Sequence, residues 1–122
     1  MDPAAVPLDE FEGMVVDALD SLPEWVLPVV EEIAVLVEEE QAESERRPGV
    51  ALLGLYRGVP RTSSHGRAPG ALPDTITLYR RPIVRDCARV EDVPGRVRAV
   101  LVHEVGHAMG LSETRLRELG WA

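Results

Sequence analysis

Lysine is missing from this 122-residue sequence, and aromatic residues make up only 4% of it. Cys87 is the single cysteine, so no intrachain disulfide can form and nothing points to an oxidising compartment. No apolar run approaches the roughly 20 residues that a membrane-spanning helix needs. The N-terminus carries acids where a secretory signal has basic residues and an apolar stretch. We therefore expect a cytoplasmic protein with no membrane partner.

Basic residues are also missing from the first 45 positions, which hold 14 acidic side chains, whereas all 13 arginines follow. The net charge of -8 is thus unevenly distributed. Either the acidic and basic segments lie against each other, or an acidic N-terminal face binds a partner protein. The first interpretation is favoured over nucleic-acid binding, and no nucleic acid is expected. At this length we expect residues 1–122 to form a single domain.

The pattern of apolar residues predicts an α+β arrangement. An amphipathic helix is predicted over 8–22, where apolar residues recur at intervals of three and four. Short strands are predicted at 33–37, 50–56 and 75–79, and the alternation in the third predicts one buried and one exposed face.

Helix signals dominate the rest of the chain. One or two turns are predicted over 82–86. Asp92 looks like the N-cap of a long helix that ends at Gly110. Ser112 then caps a short helix through Leu119.

The connection over 57–74, RGVPRTSSHGRAPGALPD, is long and rich in glycine, proline and serine. A loop of this length in so small a domain is usually functional or disordered. Both interpretations stay open, a flap near a site or plain disorder.

His103, Glu104 and His107 spell H-E-x-x-H inside the predicted long helix. Residues four apart project from one helix face, so the two imidazoles can reach a common point, and that spacing suits tetrahedral zinc. Glu104 is rotated by about 100° from His103. It would therefore lie beside the metal, where it can take a proton from zinc-bound water. The alternative is a pair of core or surface histidines beside a solvated glutamate.

The third metal ligand is less directly indicated. Gly110, three residues after His107, can reverse the chain and bring Glu113 back towards the metal. Glu113 could instead stabilise the N-terminus of the last helix through the helix dipole. We favour the ligand role, with Glu118 on the last helix and His65 on the long loop as the remaining candidates.

With these motifs the chain resembles the minimal zincin-like metallopeptidase family of small bacterial proteins. The resemblance runs through FEGMVVDALDSLPEW, LLGLYRG, LPDTITLYRRPI and HEVGHAMGLSETRLRELGW. It implies a minimal zincin-like fold, with a short mixed sheet, an N-terminal helix, the H-E-x-x-H helix and a short C-terminal helix. It also implies Zn²⁺ on His103 and His107, Glu104 as general base and an acidic third ligand at Glu113. The strand in LPDTITLYRRPI would then lie antiparallel to an extended substrate.

Several other residues could take part in catalysis or ligand binding. Tyr79 or Arg80 could stabilise an oxyanion, although packing of Tyr79 at a sheet edge is the favoured role. Trp25 and Trp121 are predicted to cover the core from its two ends. Cys87 is read as a small buried apolar residue. No histidine stands six residues after His107, where Glu113 lies instead. No lower lobe is recognisable either, so pockets beyond the metal are open, absent or built by a partner.

Two functions follow from these observations. The leading one is a zinc-dependent metallopeptidase that hydrolyses peptide bonds in an extended peptide or protein substrate, with Glu104 activating a zinc-bound water. The alternative is a non-catalytic zinc-binding domain with a regulatory or protein-interaction role, in which the metal contributes to folding.

Overall fold

The computed structural model describes residues 1–59 and 73–121. Within them, five α-helices and a small three-stranded mixed sheet confirm the predicted α+β class. The segment predicted as a flap or a disordered loop lies outside the described residues over 60–72. In chain order the elements are α1 Leu8–Asp20, α2 Leu27–Val30, β1 Ile33–Glu38, β2 Gly54–Arg57, β3 Asp74–Tyr79, α3 Arg80–Arg85, α4 Val93–Ala108 and α5 Glu113–Leu119.

Strand β3 lies in the middle of the sheet, whose order is β1-β3-β2. It runs parallel to β1 along its whole length and antiparallel to β2. Two expectations are therefore wrong. The strand at 75–79 is not an edge that can take up an extended substrate, because both of its sides are already paired. It also lacks a solvent-exposed face, since Thr77 and Tyr79 are only 3% and 1% exposed.

Strand β2 begins at Gly54, four residues later than predicted. Residues 47–50 form a tight turn instead, in which the Val50 N–H donates to the Arg47 carbonyl. Pro48 and Gly49 occupy the two central positions, and Gly49 has the positive φ of 76° that such a turn requires at its second central residue. The local turn therefore overrides the apolar pattern that suggested a strand from Val50.

Helix α4 is the most buried helix, and it packs against α1, α3, β2 and β3. Buried side chains of α1 face it, as the apolar periodicity predicted, while the acidic residues of α1 are exposed. The core also includes Cys87, which is buried as expected. Other members of the core are Phe11, Val15, Ile76, Leu78, Val97 and Leu101.

Within the described residues, acidic side chains of the first 45 positions pair with arginines of the remaining sequence: Glu39 with Arg80, Glu40 with Arg46 and Arg85, and Glu45 with Arg57. Part of the charge asymmetry is thus satisfied within the fold. The exposed acidic face of α1 stays a predicted docking surface. No helix in the described ranges combines the length and apolar character needed to cross a membrane.

The boundaries of α4 and α5 agree with the sequence prediction, but the start of α4 is stabilised differently. The Asp92 carboxylate pairs with Arg89 at 3.4 Å instead of capping the helix. In contrast, the Ser112 hydroxyl accepts the Arg115 N–H at 3.1 Å and caps α5 as predicted. Gly110, with φ 76°, joins the two helices.

Candidate metal centre

The two histidines lie four residues apart on the C-terminal half of α4 and point towards each other. Their Nε2 atoms are 3.0 Å apart, and the rings meet edge to face with an interplanar angle of 83°. Both side chains are partly exposed, so solvent can reach the nitrogens. The helix thus presents two imidazole nitrogens at one accessible point, as the four-residue spacing predicted.

Glu113 is brought to the same point by the turn between α4 and α5. Gly110 adopts left-handed geometry, and the Leu111 N–H donates to the Gly106 carbonyl, which reverses the chain. Glu113 opens α5, and its Oε1 lies 3.3 Å from Nε2 of His107 and 3.6 Å from Nε2 of His103. Its position in the first turn also suits the helix dipole, so both predicted roles are compatible with its location.

The spacing of these atoms can be compared with a tetrahedral metal shell. Zinc bonds of about 2.0–2.1 Å at tetrahedral angles separate neighbouring ligand atoms by about 3.3 Å. The separations of 3.0, 3.3 and 3.6 Å among His103, His107 and Glu113 bracket that value. His103, Glu104 and His107 also form a cluster whose ligating atoms lie within 4.8 Å of one another. The residues present therefore fit a bound metal ion.

Glu104 differs from the other members of the cluster because it is buried, with 9% of its surface exposed. Its Oε1 accepts the backbone N–H of Tyr56 at 3.0 Å, which directs the carboxylate towards β2. Burial raises the pKa of the Glu104 carboxyl above its ordinary value, and the neighbouring His107 and His103 oppose that shift. A carboxylate with a raised pKa is a stronger base at neutral pH.

Trp121, the last described residue, lies next to the cluster of His103, Glu104 and His107. The Trp121 carbonyl oxygen lies 3.3 Å from Nδ1 of His103. The Trp121 indole stacks on Trp25, with ring centroids 5.4 Å apart and an interplanar angle of 11°. The expectation that these tryptophans cover opposite ends of the core is therefore wrong, because they contact each other.

A cleft of about 260 Å³ adjoins His103 and Glu104. Apolar side chains and backbone form most of its lining, and Arg96 adds a charged group that pairs with Asp86 at 3.2 Å. Gly54 belongs to this lining, and a Cβ there would come within 2.7 Å of Val100. The absence of a side chain at Gly54 therefore lets β2 approach α4 beside Glu104.

The remaining predicted site residues lie elsewhere. Glu118 pairs with Arg115 at 2.9 Å on the exposed surface of α5, and His65 is outside the described residues. Tyr79 is buried. Arg80 donates to the carbonyls of Pro3 and Val6 and pairs with Glu39, so its guanidinium anchors the N-terminal segment. These contacts give Arg80 a structural role, whereas the oxyanion role was one that the sequence only left possible for it.

Sequence reasoning missed the contributions of Tyr56 and Trp121. Both act on the cluster through backbone atoms, an N–H from Tyr56 and a carbonyl from Trp121. Every residue except proline carries both a backbone N–H and a carbonyl, so the pattern of residue types cannot predict such a contact. The position of β2 in the sheet is the observation that would have pointed to Tyr56.

Comparisons with known proteins bear on fold and family. Among solved structures, a conserved hypothetical protein from Thermo thermophilus is 22% identical, with a TM-score of 0.59. The match covers 93% of this chain and 97% of the other, and it supports the fold alone. No curated protein matches this chain. A model of the zincin-like metallopeptidase family matches residues 30–121. Since that match spans well over half of the sequence and includes the His-Glu-His cluster, this chain belongs to the zincin-like metallopeptidase family.

Proposed function

We propose that this protein is a zinc-dependent peptidase in which His103, His107 and Glu113 hold the metal and Glu104 is the general base. The observation that carries the proposal is the spacing of the three ligand atoms, 3.0 to 3.6 Å apart, with a buried carboxylate on the adjacent residue. Three protein ligands leave a tetrahedral metal one open position, which is typical of catalytic zinc sites.

Zinc bound by these ligands would supply a lowered pKa for a coordinated water and polarisation of the scissile carbonyl. Glu104 would accept a proton from the attacking water and pass it to the nitrogen of the leaving amine. Its burial and raised pKa support this role, because a base acts best when its pKa approaches the working pH. The Tyr56 N–H would keep the carboxylate oriented between the metal ligands and the sheet.

The substrate we propose is an extended peptide segment beside β2. Among the described strands, β2 pairs with β3 on one side only, so its other side is an edge on which Glu104 already accepts the Tyr56 N–H. Strand addition at a sheet edge gives affinity through backbone hydrogen bonds, with selectivity left to pockets for alternate side chains. The cleft beside Glu104 supports an apolar side chain next to the scissile bond.

The alternative is a zinc-binding domain without catalysis. A structural zinc site is closed by four protein ligands and has no use for a base. The three candidate ligands, His103, His107 and Glu113, and the buried Glu104 beside them favour the peptidase over this alternative.

Zinc content and peptide cleavage together test the proposal. Wild-type protein purified without added metal should contain zinc and should cleave members of an unstructured peptide library. Glu104→Gln should retain zinc, while its cleavage rate falls by about 10²–10⁴-fold, the usual contribution of a general base. Wild-type protein that takes up no zinc, even after resupply, would remove the metal site. Cleavage by Glu104→Gln at the wild-type rate would remove Glu104 as the base.

A further inference from the structure

The contact between Trp121 and His103 selects one form of the imidazole. A carbonyl oxygen can only accept a hydrogen bond, so the 3.3 Å contact with Trp121 favours a proton on Nδ1 of His103. The Glu113 carboxylate, 3.6 Å from Nε2, competes by favouring a proton on that nitrogen instead. A neutral imidazole carries a single ring proton, so a proton on Nδ1 leaves Nε2 with its lone pair free. Nε2 is the atom that faces His107 and Glu113. The Trp121 carbonyl thus favours the tautomer of His103 that can bind a metal.

The backbone around Gly120 aims this carbonyl at α4. Gly120 has a φ of 76°, so the chain reverses as α5 ends. The Trp121 N–H then donates to the Leu116 carbonyl at 2.7 Å. Leu116 is fully buried, and its side chain occupies the space where a Cβ on Gly106 would lie. This packing holds α5 and the turn after it against the H-E-x-x-H helix.

The side chain of Trp121 contacts a residue from the N-terminal part of the sequence. It stacks on Trp25, which belongs to a short 3-10 helix at 24–26. Trp25 itself is 56% exposed, so it contributes less to the core than its size would allow. Its aromatic contact is with Trp121, the residue whose carbonyl reaches His103.

We infer that the stack of Trp25 on Trp121 is a positioning device for the metal ligand His103. It holds the Trp121 carbonyl against Nδ1, so that Nε2 is presented to the metal without a proton. Groups that bind the second nitrogen of a metal-ligating histidine set its tautomer and ring orientation, and their loss commonly weakens metal binding by about 10–100-fold. The metal-binding part of this inference rests on the proposed function, whereas the tautomer part concerns the metal-free protein.

The test compares the variants Trp25→Ala, Trp25→Phe and Trp121→Leu, with Leu36→Ala as control. Trp121→Leu keeps the backbone carbonyl but removes the stack, and Trp25→Phe keeps a ring that can stack. Leu36 is an exposed apolar residue on β1, so its truncation controls for a general loss of apolar surface. Nitrogen-15 NMR of metal-free protein, at a pH where the imidazole is neutral, reports the His103 tautomer. Competition with a chelator reports the zinc dissociation constant.

We expect His103 to carry its proton on Nδ1 in the wild type, Trp25→Phe and Leu36→Ala. Trp25→Ala and Trp121→Leu should both show a mixture of the two tautomers and zinc binding about 10-fold weaker. The inference would be overturned if Trp25→Ala and Trp121→Leu both kept the wild-type tautomer of His103 and the wild-type zinc affinity. A wild type that binds no zinc, but whose tautomer shifts in these variants, would refute the proposed function and leave the positioning of His103 intact.

Discussion

The Glu104 carboxylate accepts the backbone N–H of Tyr56 at 3.0 Å, and this hydrogen bond ties α4 to the edge strand β2. The two residues are 48 positions apart in the sequence. The bond holds the proposed base between the histidines and the strand beside which we propose that the substrate lies. Burial of Glu104 and its raised pKa follow from this location under the sheet.

The first prediction concerns the pH dependence of stability. Because the folded protein raises the pKa of Glu104 above 4.5, it holds this proton more tightly than the unfolded chain does. The free energy of unfolding therefore loses a contribution as the pH rises through the ordinary pKa and up to the folded one. Glu104→Gln cannot ionise, and its amide oxygen can still accept the Tyr56 N–H. We expect the metal-free variant to be more stable than the metal-free wild type at pH 7.

Urea denaturation of both metal-free proteins between pH 4 and pH 7 checks this expectation. The stability difference should shrink as the pH falls, because Glu104 becomes protonated and uncharged in both folded and unfolded wild type. Equal free energies of unfolding for the metal-free wild type and Glu104→Gln at pH 7 would show that burial of the charged carboxylate does not destabilise the fold.

The second prediction separates Glu113 from Glu118. Both lie on α5 with 56% of the side chain exposed, but only Glu113 has an oxygen near the histidine nitrogens. Glu113→Gln should weaken zinc binding by more than about 10-fold, since even loss of an outer partner of a ligand costs that much. Glu118→Gln is the matched control and should bind zinc like the wild type. Equal affinities of the two variants, measured by chelator competition, would remove Glu113 from the ligand set.

The third prediction compares two glycines of α4. A Cβ on Gly106 would overlap the buried side chain of Leu116, which has little room to move. Gly106→Ala should therefore lower the free energy of unfolding by about 1–3 kcal/mol, as overpacking usually does. Gly95 has no neighbouring atom within 4 Å of such a Cβ. Gly95→Ala should instead raise stability by about 0.4–1 kcal/mol, because alanine is the better helix former.

Chemical denaturation of both glycine variants is the measurement. Gly106→Ala should also weaken zinc binding, since Leu116 docks the helix that carries Glu113. A Gly106→Ala protein as stable as Gly95→Ala would mean that α5 does not pack on α4 through this contact.

The fourth prediction tests the structural role of Arg80. Its buried guanidinium donates to the carbonyls of Pro3 and Val6 at 2.8 and 2.7 Å. Arg80→Met keeps the length of the side chain but leaves these acceptors without their donor, which costs about 1–3 kcal/mol of stability for a buried acceptor. The exposed neighbour Arg81, changed to Met, should alter stability by less than about 0.5 kcal/mol. Turnover per folded, zinc-loaded Arg80→Met molecule should match the wild type, and a large loss of turnover would return Arg80 to an oxyanion role.

The helices show how far local signals reach. Capping by Ser112, the reversal at Gly110 and the amphipathic stripe of α1 depend on residues close together in the sequence, and each was predicted correctly. The strands were predicted less well. The start of β2 was wrong because the turn over 47–50 competes with the apolar pattern, and the burial of β3 was wrong because it depends on which strands pair with it.

The sequence by itself determined the helix that aims His103 and His107 at one point, because residues four apart on an α-helix share a face. It also indicated Glu113, since a glycine three residues after His107 brings the chain back. The tertiary structure alone decided that β3 is central and β2 forms an edge, that Glu104 binds Tyr56 and that Trp121 contacts His103. These contacts use backbone groups or join distant segments, so only the folded chain brings their partners together.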